Sequence, residues 1–400
     1  MNTPNGTIDE AEAAGLAAQL ARDLPPAQTS PQRFLEEQFD RGLAWVHHRV
    51  GDGGLAADVK LQPAINHVIA QAGGPDPFEV NPIGHGMCGP TLAVWGTTEQ
   101  RRMLRKLFSG EEIWCQLFSE PGAGSDLAGL ATRARRDGEE WVVDGQKVWT
   151  TMAHRASYGL LIARTDPDAA KHAGLTAFVV DMSAPGVDVR PLFQMTGEAE
   201  FNEVFFDGVR LPADAILGGT GQGWNVALTT LMNERVSIGA IVPPRGSGPI
   251  AHLVEEFGRV HKNDPETADR HRDDVVRLWI RAEALRLFNI KLGQRRSGGD
   301  PGPEGSISKI LAADLNKDIY SELLNVMGAE GMLYGEYEMI RPAVAHEYTT
   351  AQKAFLRSRA NSIEGGTSEV MKNVVAERIL GLPGDVRVDK GLPWKQIPRS

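Results

Sequence analysis

The chain is poor in cysteine: Cys88 and Cys115 are the only two in 400 residues. That excludes a disulfide framework and a cysteine-rich zinc site, so no metal is expected. Surplus positive charge is also absent, since 42 Lys and Arg stand against 52 Asp and Glu for a net charge of -10. Without a basic field nothing neutralises a phosphate backbone, and nucleic acid is excluded as the main partner. No apolar run approaches the roughly 20 residues needed to cross a bilayer, so no membrane insertion is expected. The opening MNTPNGTIDEAEAAG lacks a charged-then-apolar signal pattern and an arginine-rich transit pattern. A reduced cytoplasm is the expected location.

What is present is an ordinary globular mixture, 42% hydrophobic and 24% charged, which excludes wholesale disorder. The chain reads as five segments. Residues 1–30 form a polar tail in which Ala11 to Ala21 has helical character. Residues 31–113 form an N-terminal helical domain, with PQRFLEEQFDRGLAWVHHRV and TTEQRRMLRKLFSG as helical pieces ended by glycine or proline. Residues 114–220 turn strand-like and predict an antiparallel β unit. Within it, EWVVDGQKVW and FNEVFFDGVRLP each carry an Asp-Gly pair, Asp144-Gly145 and Asp207-Gly208, that predicts a tight hairpin turn. Residues 221–385 return to helix, interrupted by the breaker SGGDPGPEG, and predict an antiparallel bundle. Residues 386–400 form a C-terminal tail.

Four constellations carry the chemistry. In Ser119-Glu120-Pro121-Gly122-Ala123-Gly124-Ser125-Asp126, glycines let backbone N–H groups turn toward an anion and Ser125 adds a hydroxyl, as a diphosphate would require. An ordinary turn explains the same residues. In Lys147-Val148-Trp149-Thr150-Thr151, a tryptophan beside two hydroxyls at a strand end suits the face and polar edge of an aromatic cofactor, and equally a strand with a core tryptophan. On the helix beginning at Trp224, 100° steps place Trp224, Ala227, Leu228, Leu231 and Ile238 on one stripe, with Arg235 in its middle and Glu234 at its edge. Two inward charges at i,i+1 do not face each other and each needs an outside partner, which an interhelical salt bridge or a catalytic role would provide. In Asn361-Ser362-Ile363-Glu364-Gly365-Gly366-Thr367-Ser368-Glu369, a glycine-rich entry leads to a helix capped by Thr367, a place friendly to anions and also an ordinary helix start.

In this order, with GPTL at Gly89, GTTEQ at Gly96, RTDP at Arg164, GWNVA at Gly223 and AERILGLP at Ala376, the motifs make the sequence similar to the acyl-CoA dehydrogenase family from roughly Gly84 to Pro383. The resemblance implies a mainly α fold with a central β domain: an N-terminal helical domain, a middle β-barrel and a C-terminal four-helix bundle. It implies FAD as cofactor, α,β-dehydrogenation of an acyl-CoA to the trans-2-enoyl-CoA, and an electron-transferring flavoprotein as acceptor. A carboxylate removes the α-proton while the β-hydrogen leaves as hydride to flavin N5. By position, Gln116, Leu117, Phe118 and Ser119 would line the flavin, and Gly124 and Ser125 would face the diphosphate, with Ser125 also toward CoA. Trp149, Thr150 and Thr151 would meet the flavin ring and its edge. Gly366, Thr367 and Glu369 would meet the adenosine half, and Asn233 and Arg235 the acyl-CoA.

Two departures from the family pattern matter. The usual catalytic glutamate directly before a Gly-Thr pair is replaced by Gly365, with Glu364 one residue too early. Some members instead use a glutamate just before an arginine on the first long C-terminal helix, and Glu234 occupies that place; Glu364 is the alternative base. An arginine that in many members reaches a neighbouring subunit's FAD diphosphate is also missing: Val254, Glu255 and Glu256 precede Phe257-Gly258. The resemblance is to divergent members, including actinobacterial enzymes of sterol side-chain and bulky-acyl degradation. It implies a homo-oligomer, dimer or tetramer, or a heterotetramer with a homologue in which one chain has an incomplete site. A flavin monooxygenase or oxidase of the same fold is a further alternative.

Overall fold

A computed structural model describes residues 8–239, 244–295, 303–335, 338–342, 350–384, 386, 389 and 391–397, with the side chains of 234–239 and 295 excepted. The chain divides into two compact units, one of 1–192, 200–233 and 389–400, the other of 193–199 and 234–388.

The first unit begins with short helices whose ends are written into the sequence. Asp9 caps α1 (Glu10–Asp23), and Ser30 with Pro31 at the first helical position starts α2 (Pro31–Asp40). The helical pattern predicted to run on through Val50 stops at Asp40, because Gly42 turns at φ +73° and a Cβ there would meet the Gly54 carbonyl at 2.7 Å. Then come α3 (Gln62–Gln71), α4 (Pro77–Val80), a π-helical turn at Gly84–Cys88 that runs into α5 (Gly89–Trp95), α6 (Thr98–Arg101) and α7 (Leu104–Ser109). A Thr97/Gln100 capping box starts α6, and Gly110 in the left-handed region ends α7.

Eight strands follow: β1 (Trp114–Leu117), β2 (Arg133–Asp137), β3 (Glu140–Thr151), β4 (Tyr158–Arg164), β5 (Leu175–Asp181), β6 (Val187–Pro191), β7 (Phe201–Pro212) and β8 (Ile216–Leu217). They form one sheet in the order β6-β7-β3-β2-β4-β5-β8, with β1 pairing β4. The sheet is not wholly antiparallel as expected, since β1 and β4 run parallel. The predicted hairpins at Asp144-Gly145 and Asp207-Gly208 are absent. Both pairs sit inside twelve-residue strands, facing each other where the β3–β7 register slips between Val143 and Gly145. Gly208 N–H donates to Asp144 Oδ1 (3.0 Å), and a Cβ on Gly145 would press on Thr132 at 2.5 Å. The Asp-Gly pairs therefore make a facing bulge. The local signal is the same; strand length decides.

The helix α8 (Gly223–Gly239) is seated in this unit by its first three turns. Gly223 permits the approach, because a Cβ would lie 2.5 Å from the Thr176 amide nitrogen. Trp95 donates its indole N–H to Thr229 (2.9 Å), and the Thr91 and Thr230 hydroxyls meet at 3.0 Å. The buried face runs through Gly223, Val226, Ala227 and Thr230, while Leu228 is exposed. It is thus rotated from the predicted stripe, because two threonine hydroxyls are satisfied inside.

The second unit is helical. It contains α9 (Pro249–Asn263), α10 (Pro265–Arg295), α11 (Gly305–Met327), α12 (Ala351–Ser358) and α13 (Ser368–Arg378). Its core joins Ile250 and Leu253 of α9, Val275 and Leu278 of α10, Leu315, Ile319 and Leu323 of α11, and Ala354 of α12. Among the described residues no helix is long and apolar enough to cross a membrane, and no group of three His, Cys, Asp or Glu is placed to hold a metal ion.

Candidate functional site

The sequence-derived candidates fall into two sets, one in each unit. In the first unit the structure brings two separate motifs together. The strand β1 delivers Gln116, Leu117, Phe118 and Ser119; Gln116 and Ser119 are half-buried, and Leu117 and Phe118 are buried. Val148 N–H donates to the Ser119 carbonyl (2.9 Å), tying the SEPGAGSD loop to the KVWTT strand end. Glu120 and Ala123 exchange backbone hydrogen bonds at 3.1 and 3.0 Å, which closes the turn and leaves Gly122, Gly124 and Ser125 exposed.

The loop is anchored by a buried ion pair that sequence reading missed. Lys147, 0% exposed, donates from Nζ to Glu120 Oε1 (2.8 Å) and to the Phe118 carbonyl (2.9 Å). Glu120 also accepts the Ala131 and Thr132 N–H groups at 2.6 and 2.9 Å. Burial alone would raise the Glu120 pKa, but Lys147 and these donors hold it below the ordinary 4.5. Burial of the Lys147 ammonium works in the lowering direction on its own pKa, against the pull of Glu120. The available sequence signal was a lysine inside a run of Val and Trp.

At the end of β3 the backbone is strained. Trp149 and Met152 have φ of +60° and +57°, a left-handed conformation that costs a bulky residue about 1–3 kcal/mol and gathers at ligand sites. The result is a tryptophan that is 58% exposed, set edge-on to Phe201 at 5.7 Å. Between the two strained residues lie Thr150 and Thr151. Thr150 is fully buried, and its Oγ1 has no hydrogen-bond partner among the described residues. The Thr150 carbonyl accepts from buried Asn202 (3.1 Å), another residue that sequence reading missed.

Glycine usage supplies a second observation. A Cβ built on Gly122 or Gly124 meets no atom of the described residues within 4 Å, and neither has positive φ. The fold itself does not require glycine there. A backbone left bare beside open space suits close approach by a ligand.

The second set behaves differently. Glu364, the alternative base, receives both guanidinium nitrogens of Arg357 (Nη1 to Oε1 2.9 Å, Nη2 to Oε2 2.7 Å) and the Asn361 amide (2.9 Å). Arg357 is only 4% exposed and Glu364 36%, so this is a bidentate pair buried on its arginine side. Gly365 and Gly366 have φ of +61° and +91°, and Lys309 donates to the Gly366 carbonyl (2.6 Å). A glutamate at 365 would have to adopt a left-handed backbone. Thr367 caps α13 by accepting the Val370 N–H at 3.1 Å, and Glu369 is exposed in its first turn. Ser362 Oγ and Ser368 Oγ are buried without a hydrogen-bond partner among the described residues. Asn233 is half-buried on α8; the side chains of Glu234 and Arg235, on the same helix, lie outside the described residues.

At the position of the missing arginine, a groove of about 660 Å³ is lined by Arg245, Gly246, Ala251, Val254, Glu255 and Trp279. The Arg245 guanidinium stands 4.9 Å over the Trp279 ring and 3.7 Å from Glu283.

Residues 115–209 match the acyl-CoA dehydrogenase middle domain, and residues 221–380 match the acyl-CoA dehydrogenase C-terminal domain. Acyl-CoA dehydrogenase IpdE1 of Mycobacterium tuberculosis is 38% identical over 349 residues, covering 86% of this chain and 85% of that protein. Acyl-CoA dehydrogenase FadE34 of the same organism is 37% identical over 94% of this chain, which spans 50% of that longer protein. Among solved structures, the Tcur3481-Tcur3483 steroid ACAD superposes with a TM-score of 0.71 at 28% identity, covering 93% of this chain and 97% of that one. The ChsE4-ChsE5 complex from Mycobacterium tuberculosis gives 0.69 at 27%, covering 96% and 99%.

Proposed function

The chain belongs to the acyl-CoA dehydrogenase family of oxidoreductases, and from that premise we propose that it binds FAD and oxidises a bulky acyl-CoA to its trans-2-enoyl-CoA, with Glu234 as the α-proton base. The observation that carries the cofactor reading is the end of β3. An exposed Trp149 and a half-buried Thr151 are held there by backbone strain beside a loop whose glycines face open space. An aromatic ring system with a polar edge and a diphosphate fits those features together.

FAD, when bound, accepts the hydride from the β-carbon. The remaining work falls to the chain. Gln116 to Ser119 line the flavin along β1, and Trp149 and Thr151, with Thr150 buried between them, orient the ring and its edge. Gly124 and Ser125 receive the diphosphate, and Ser125 also faces CoA. Gly366, Thr367 and Glu369 serve the adenosine half, and Asn233 and Arg235 position the acyl-CoA. Arg245, beside Val254, takes over the diphosphate-side charge of the missing arginine. Glu234 takes the α-proton. Two observations favour it over Glu364. The Glu364 oxygens are committed to Arg357 and Asn361, and withdrawing them would strip the buried Arg357 guanidinium of its carboxylate. Helical spacing also puts position 234 on the row of Ala227 and Thr230, the buried row of α8.

The bulky acyl group is inferred from relatives described as steroid enzymes. Their two-protein names also favour a homologous partner subunit over a homo-oligomer. An electron-transferring flavoprotein is the proposed acceptor. The test is bleaching of the visible flavin absorbance when a steroid-derived or other branched acyl-CoA is added to the purified protein. Bleaching by wild type and by Glu364→Gln, with none by Glu234→Gln, supports the reading. Unchanged bleaching in Glu234→Gln removes the base assignment. Colourless protein that becomes active only on co-expression with a homologue favours a partner-subunit role.

A further inference from the structure

We propose that the C-terminal residues 389 and 391–397 act as a strap that positions the Gly122–Leu130 loop for its ligand, with Trp394 and Lys171 as positioning residues. The inference rests on the reading of this loop as the cofactor site. The segment belongs to the first unit although the chain reaches it from the second.

The strap lies along the β4–β5 connection. Trp394 N–H donates to the Ala169 carbonyl (3.0 Å), Lys395 N–H donates to the Pro167 carbonyl (3.1 Å), and Lys395 pairs with Asp168. From there it reaches the far end of the glycine loop twice. The Trp394 indole N–H donates to the Gly129 carbonyl at 3.2 Å. Asp389 and Asp126 share Lys171, whose Nζ lies 2.9 and 2.6 Å from their carboxylates. Partial burial works to lower the Lys171 pKa, yet the two carboxylates raise it above its ordinary value.

Arg164 joins these contacts. Only 2% exposed, it donates to the carbonyls of Ala128 (2.6 Å), Leu130 (3.2 Å) and Lys171 (3.0 Å), and its guanidinium lies 4.3 Å from the Trp394 ring centroid. The ring closes one face of a buried cation that organises the loop's exit. The loop is thus fixed at its entrance by Glu120–Lys147 and at its exit by the strap. Gly122 to Ser125 are left exposed between two fixed ends. A loop pre-set in this way loses less conformational freedom when it takes a ligand.

The test uses the full-length protein and the variants Trp394→Ala, Trp394→Phe, Lys171→Met and Ser125→Ala. Hydrogen exchange is read at the Gly129 and Leu130 amides, which bond to the Asp126 and Leu127 carbonyls, with the β2–β3 amides as control. FAD affinity is read by quenching of flavin fluorescence. Trp394→Ala and Lys171→Met are expected to speed exchange at these two amides about tenfold with the control unchanged, and to weaken FAD about tenfold. Trp394→Phe keeps a ring over Arg164 but loses the indole bond, and is expected to fall between Trp394→Ala and wild type on both readouts. Unchanged exchange and unchanged FAD affinity in Trp394→Phe and Lys171→Met overturn the strap even where Trp394→Ala fails to fold. Faster exchange with FAD affinity unaltered in these variants and in Ser125→Ala overturns the cofactor reading of the loop, and with it the positioning role.

Discussion

Two glycine-rich turns, Glu120–Asp126 in the first unit and Glu364–Thr367 in the second, look alike in the sequence and have glycine for different reasons. Gly365 and Gly366 lie at positive φ, and a Cβ on Gly366 would meet Met371 at 2.5 Å. The chain's own geometry requires them. Gly122 and Gly124 are not at positive φ and have open space around them among the described residues, so the chain's own geometry does not require them, and the proposed reading assigns the requirement to a ligand. Their glutamates differ as well. Glu120 staples its turn to a lysine 27 residues away in sequence, whereas Glu364 closes on an arginine seven residues before it. Glycine enrichment marks a turn; only the surrounding space tells whether the turn serves the fold or a ligand.

The largest test of this contrast is Lys147→Met, which leaves Glu120 buried without its cation and should cost about 3–5 kcal/mol by chemical denaturation. Its pH dependence should reverse. In wild type the folded Glu120 pKa lies below its ordinary 4.5, so its contribution is present above that value and is lost as pH falls through the folded pKa. In Lys147→Met, protonation relieves an uncompensated buried carboxylate, so acidification should narrow the gap to wild type. A constant gap from pH 7 to about pH 4 would show that the pair contributes nothing specific.

Next in size is a matched pair of substitutions. Gly366→Ala must place a Cβ at φ +91° and should destabilise the FAD-free protein by about 1–3 kcal/mol. Gly124→Ala should leave the FAD-free melting temperature unchanged and weaken FAD instead. Equal melting shifts in both would erase the distinction between the turns.

The smallest effect on folding is expected from Thr150→Val, which removes a buried hydroxyl that has no partner among the described residues. The FAD-free protein should be neutral or stabilised by at most about 1 kcal/mol, and FAD binding should be unaltered, because protein already covers that hydroxyl. Clear destabilisation of the FAD-free protein would mean that the hydroxyl serves the fold.

Much of the architecture was legible because it is local. The cap at Thr367 and the strand-like run that begins at Trp114 follow from short patterns and appear where expected. The errors were also local readings, undone by length or by distant partners. Asp144-Gly145 and Asp207-Gly208 carry a hairpin signal yet form a facing bulge, because each strand continues past its pair. The apolar stripe on α8 was displaced because Thr230 is satisfied by Thr91, 139 residues away. For the site, the residue types at Trp149, Thr150 and Thr151 suited an aromatic ligand and a plain strand alike, and the strain and exposure at Trp149 that separate the two are visible only in three dimensions. Nothing in the sequence joins Trp394 to Gly129 across 265 residues.

The identity of the base is the claim on which the catalytic account turns, and exchange of the substrate α-hydrogen in D2O measures it apart from hydride transfer. Wild type and Glu364→Gln should incorporate deuterium at the α-carbon of a bound acyl-CoA, and Glu234→Gln should not. Deuterium incorporation by Glu234→Gln, with its loss in Glu364→Gln, would contradict the account.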